Sequence, residues 1–168
     1  MKNVPAILEA TLISLFTGCA TIPVVTLSPV GPNPYAPVST ASHGGLQVFS
    51  RLTLQNDDQN QDSRDSAWYQ HSDYYIYRPD GTLFRRVWNK VGKYEEAPRV
   101  VDLPAGQYIV KTKAAGGYWV QVPVTIEDGR TTRLHLDKDW VPPAFIARDE
   151  LVTLPDGKPA GWRAGPAQ

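Results

Sequence analysis

From residue 44 to residue 136 the chain is a succession of short segments in which apolar and polar positions alternate, and a period of two predicts half-buried strands. Leu46, Val48, Leu52 and Leu54 set the phase of the first, over 46–54. Residues 55–66 contain no apolar side chain and read as a solvated loop. A second strand over 68–78 centres on Tyr74, Tyr75, Ile76 and Tyr77, a continuous run that predicts cover on both faces. Pro79-Asp80-Gly81 turns the chain into a third strand over 82–91, and a fourth lies around Val100, Val101 and Leu103. Pro104-Ala105-Gly106 leads into a fifth over 108–113. Gly116-Gly117, where glycine can take φ > 0, closes a hairpin to a sixth over 118–126. Glu127-Asp128-Gly129-Arg130 then leads to a seventh over 131–136. The pattern predicts an all-β fold, a seven-stranded antiparallel β-sandwich of two sheets. After Asp137 the aromatics Trp140, Phe145 and Trp162 mark a tail that either docks on the sandwich or orders on a partner.

The first 43 residues follow another pattern. Lys2 precedes an apolar run over 10–16, and the run ends in Leu15-Phe16-Thr17-Gly18-Cys19. This resembles the lipobox of bacterial lipoproteins, in which a small residue precedes a cysteine that is lipidated and becomes the first residue after cleavage. A bilayer span needs about 20 apolar residues, and Pro5, Glu9 and Gly18 interrupt this one. The resemblance implies a lipid anchor at Cys19. Ala20 stands where the family's inner-membrane retention signal carries Asp, so the outer membrane is the expected leaflet. Pro23, Pro29, Pro32, Pro34 and Pro37 then recur among small residues, and each fixes its own φ and extends its predecessor. They predict a stiff tether that spans on the order of 70 Å in polyproline geometry; the alternative is that residues 24–27 add an edge strand to the domain. The expected organisation is a signal peptide over 1–18, the lipidated Cys19 and tether over 19–43, the sandwich over 44–137 and the tail over 138–168.

Within the sandwich, Gly45, Leu46 and Val48, then Leu103-Pro104-Ala105-Gly106 with Tyr108 and Val110, then Gly117-Tyr118, Val124, Ile126, Gly129, Leu134 and Leu136 resemble PEGA and carboxypeptidase-regulatory-like domains. The likeness covers 44–137 and is strongest after Pro98; the hairpin over 68–91 is longer than its counterpart in those families. It implies an immunoglobulin-like or transthyretin-like sandwich, extracytoplasmic and without catalysis of its own. These positions are turns and core, so they speak for fold rather than function.

Composition narrows the chemistry. Lys and Arg number 17 against 17 Asp and Glu, which gives no electrostatic footprint for a nucleic-acid backbone or for an anionic membrane surface. With one cysteine there is no intrachain disulfide, and a zinc site would need three ligands of another kind. His71-Ser72-Asp73 imitates a hydrolase triad, but neighbours on a strand point to opposite faces. His43, His71 and His135 have no metal-ligand spacing. Asp58-x-Asn60-x-Asp62 opens like a calcium loop, yet Ser63 replaces the required glycine and Tyr69 the closing glutamate, so the loop reads as solvated. No cofactor or metal is expected. The dense aromatics over 68–119 are mostly core material, and alternation turns some outward. Trp68, Tyr69 and Trp88 are the candidate binding residues. The expected function is a non-catalytic envelope module for a protein partner, with a cell-wall polysaccharide as the alternative ligand.

Overall fold

The strictest alternation in the chain produces its longest ladder. In β9 (Gly106–Lys113) and β10 (Trp119–Ile126) the even-numbered residues from Tyr108 to Ile126 are buried and the odd ones face outward. The two strands pair antiparallel over eight residues, from Trp119 opposite Lys113 to Ile126 opposite Gly106. The computed structural model describes residues 23–55, 68–89 and 97–165. Around that hairpin a large sheet extends both ways. On one side β6 (Tyr74–Tyr77) pairs with β9, and β7 (Leu83–Val87) forms the edge. On the other side β1 (Val24–Thr26) and β2 (Val30–Gly31) run parallel to β10, and β13 (Pro159–Arg163) and β12 (Leu151–Thr153) complete the sheet.

A smaller sheet lies opposite. Its centre is β3 (Gly44–Phe49), flanked by β8 (Val100–Leu103) antiparallel and β11 (Thr131–His135) parallel. Leu46, Val48, Leu103 and Leu134 of this sheet and Ile76, Val110 and Val122 of the large one are all fully buried. The all-β sandwich is therefore present, with parallel pairings on one side of each sheet that alternation alone does not reveal.

Three boundaries differ from the sequence expectation. The stretch read as tether, 19–43, is not free over its whole length: Val24–Thr26 belongs to the large sheet, as the alternative over 24–27 has it, and Val30–Gly31, which neither reading included, joins the same sheet. Their hydrogen-bonding edge is supplied by β10, and the break between them falls opposite Pro123, which has no N–H to give a neighbour. The tail over 138–168 docks on the sandwich, as the first of its two readings has it, but through strands as well as aromatics: β12 and β13 extend the same sheet through Trp162 opposite Gly31. The expected long strands over 46–54 and 68–78 each break in two. β4 (Leu52–Gln55) and β5 (Trp68–His71) leave the sandwich as a two-stranded arm.

The breaks coincide with a buried polar junction that replaces lost ladder bonds. Asn89 Nδ2 donates to the Val48 carbonyl at 2.8 Å, His71 Nδ1–H to the Ser50 carbonyl at 2.7 Å, and Thr112 Oγ1 to the Asp73 carbonyl at 2.9 Å. Ser50 Oγ donates to the Ser72 carbonyl. Side chains thus satisfy the backbone where the chain turns from sheet to arm. At the opposite end Tyr108 Oη donates to the Pro104 carbonyl at 3.1 Å and fixes the β8–β9 turn. Gly129, at φ 69°, packs so closely on Ser39 that a Cβ would run into the Ser39 carbonyl oxygen.

Tyr74 is the largest fully buried side chain, and its hydroxyl has no hydrogen-bond partner among the described residues. Burial raises its pKa, offset in part by Arg85. A hydroxyl desolvated without a partner opposes folding. Tyr74→Phe should therefore raise the unfolding free energy by about 1 kcal/mol in urea titrations; a loss of that size would show that the hydroxyl is satisfied.

Candidate functional site

Parallel pairing of β3 with β11 sets three pairs of residues on the outer face of the small sheet: Gly45 with Thr131, Gln47 with Arg133 and Phe49 with His135. After His135 the chain reverses, with Lys138 in the left-handed region at φ 75°, and residues 140–146 return across that face. Trp162 of β13 and the turn at Asn33 close the remaining sides. The result is a groove of about 510 Å³, lined by Gln47, Phe49, Arg133, His135, Trp140, Val141 and Trp162 among others. That is within the usual volume of small-ligand and peptide sites, a few hundred to a thousand Å³.

Aromatic rings build one wall. His135 lies between Phe49, with centroids 4.4 Å apart and planes 16° from parallel, and Trp140, at 4.7 Å and 13°. Trp162 meets Trp140 edge-on at 6.0 Å, Tyr35 meets Trp162 at 5.6 Å, and Phe145 meets Tyr35 at 6.1 Å. The polar floor is held in place by its own bonds. Gln47 Nε2 donates to the Pro98 carbonyl at 2.8 Å, and Arg133 Nε donates to Gln47 Oε1 at 3.2 Å. Burial, and then the charge of Arg133, push the His135 pKa down to about 4. The ring is therefore neutral at physiological pH and acts as a flat aromatic element.

The groove opens at Val141, which is 84% exposed. Outside it, Tyr35 and Phe145, at 59% and 77% exposure, continue the aromatic chain from Trp162. Tyr35 Oη donates to Glu150 Oε2 at 2.7 Å, and that bond is the main cause of its raised pKa. Rigid aromatics beside anchored polar groups can hold a segment of complementary shape, the apolar contacts supplying affinity and the polar ones orientation.

No family model, curated protein or solved structure matches this chain.

The residues expected to bind lie elsewhere. Tyr69 is 66% exposed on β5 of the arm, and Trp88 is 58% exposed just beyond the end of β7 of the large sheet, so no one sheet carries both. Trp68 begins β5, but its side chain is outside the described residues, as are Cys19 and the possible calcium ligands Asp58, Asn60 and Asp62. Trp88 lines a second cleft of about 440 Å³ with Arg85, Arg86 and Arg99, between β7 and β8. His71 and Asp73 serve the polar junction: His71 holds the Ser50 carbonyl, and Asp73 accepts from Arg86 and from the Asn89 backbone. Among the described residues no three His, Cys, Asp or Glu side chains form a metal-binding group. No helix among them is long and apolar enough to cross a membrane.

The groove residues escaped sequence reading. Gln47 and Phe49 share a face by alternation, and so do Arg133 and His135, but only the register between β3 and β11 unites the pairs.

Proposed function

We propose that the protein is a non-catalytic, lipid-anchored module of the bacterial envelope that holds a segment of a protein partner in the groove on its small sheet. The observation that carries this reading is the combination of an exposed Val141 at the groove mouth, with the exposed rings of Tyr35 and Phe145 nearby, a fixed aromatic wall and an anchored Gln47–Arg133 floor. Apolar surface of this kind gains most from a partner that covers it. The turn and core positions shared with PEGA and carboxypeptidase-regulatory-like domains agree with a binding role, and Gly18-Cys19 after an apolar run supplies the anchor.

A second reading, a cell-wall polysaccharide as ligand, is favoured by the crossed indoles of Trp140 and Trp162 beside the Gln47 amide. Sugar rings present C–H faces to aromatic rings and hydroxyls to amides. Capture from envelope extract and capture by purified peptidoglycan, each with the full chain as bait, separate the two.

The anchor has its own test. Cys19→Ser should abolish incorporation of labelled fatty acid and move the protein out of the membrane fraction; labelling that persists in this variant would remove Cys19 as the lipidated residue.

A further inference from the structure

The large sheet segregates charge in a chain whose net charge is zero. Its strands contain Arg85, Arg86, Lys111, Lys113 and Arg163, and not one Asp or Glu. Register places Arg86, Tyr75 and Lys111 in one row across its outer face, with Lys113 beside Trp119 in the next. Each cation lies by a ring: Arg86 is 3.8 Å from the centre of Trp88, Lys111 Nζ 4.8 Å from Tyr77 and Lys113 Nζ 5.6 Å from Trp119. Asp73 meets this group through an ion pair with Arg86 at 3.2 Å.

We infer that this face docks on an anionic lipid bilayer. Tryptophan and tyrosine beside lysine and arginine is the side-chain set that sits at the headgroup layer, where the rings occupy the interface and the cations meet lipid phosphates. Chain length favours a membrane over a soluble polyanion. Val24 opens β1 directly beside Trp119, on the same row as Lys113. Cys19 lies five positions before Val24, a reach of at most about 17 Å fully extended. An acylated Cys19 would therefore hold Trp119 and Lys113 close to the headgroups, where attraction is not yet screened by salt. The nearness of the membrane rests on the proposed lipid anchor; the chemistry of the face does not.

The test uses the full chain with Cys19→Ser, so that no acyl chain contributes, sedimented with phosphatidylcholine vesicles with and without phosphatidylglycerol. The protein should partition onto the anionic vesicles and come off as salt rises. Combined Lys111→Glu and Lys113→Glu should weaken that partition by at least about tenfold, with an unchanged melting temperature because both side chains face outward. If the charge reversals disturb folding, Lys111→Gln with Lys113→Gln should still give a smaller loss in the same direction. Equal partition onto both vesicle types, or partition unaffected by these substitutions, would overturn the inference. Retention on an acidic polysaccharide without vesicle binding would overturn it too and assign the face to a soluble polyanion. Acylation of the wild-type chain is measured separately, so vesicle failure with labelling intact rejects the face alone.

Discussion

Leu134→Ala should lower the unfolding free energy by about 2–5 kcal/mol, the range for removing a fully buried leucine side chain. Leu134 is completely buried on the inner face of β11, in register with Val48 of β3. The sheets above it cannot close the space cheaply, because β3 is fixed on its other side by β8 and the Gly129 turn holds the loop at Ser39. A urea titration of the full chain reads the effect directly. A loss below about 1 kcal/mol would mean that the side chain is not in the core, and the parallel β3–β11 pairing on which the groove depends would fall with it.

Acid should destabilise the protein through His135. Its pKa falls from 6.5 to about 4 on folding, so the unfolded chain takes up the proton first as the pH drops. Stability from this group is complete above pH 6.5 and is lost progressively down to about pH 4, by about 3 kcal/mol in total. Asp137 works in the opposite sense. Burial raises its pKa, so its contribution is greatest below its ordinary value and is lost as pH rises through the raised one. His135→Phe isolates the histidine, because a neutral ring can keep the stack between Phe49 and Trp140. Chemical denaturation at pH 7.5 and pH 4 should show a markedly smaller acid loss in that variant. Equal losses in the variant and the wild type would mean that His135 is not desolvated against its neighbours.

The parts of this fold that could be read from the sequence are those dictated by local chemistry. Alternation located β9 and β10, and the Pro-Ala-Gly and Gly-Gly turns located their ends. What remained hidden depends on contacts between distant segments. Val24–Thr26 is too short to show a period, and flanking prolines gave it the look of a tether until β10 supplied a partner. Pro159–Arg163 combines Pro, Ala and Gly, which have little preference for strands, and is held by pairing with β2 and β12. The two strand breaks are set by Ser50, Ser72 and Asn89, whose bonds replace the ladder only after the chain has folded.

The candidate sites follow the same rule. Exposure of Tyr69 and Trp88 was legible from alternation, but the groove was not, since it joins Phe49 to His135 across 86 positions. Overall neutrality likewise concealed a sheet whose strands carry basic side chains alone among the charged ones.

The measurement closest to the central claim compares capture by the full chain bearing Val141→Asp with capture by the chain bearing Tyr69→Ala, from envelope extract and from purified peptidoglycan. Val141 is on the groove rim and Tyr69 on the arm, and both are exposed enough that neither change should move the melting temperature. A groove that binds the partner predicts that Val141→Asp weakens capture by more than about 1 kcal/mol, roughly fivefold or more, while Tyr69→Ala leaves it intact. Full capture by Val141→Asp would contradict the account, and loss with Tyr69→Ala instead would place binding on the arm.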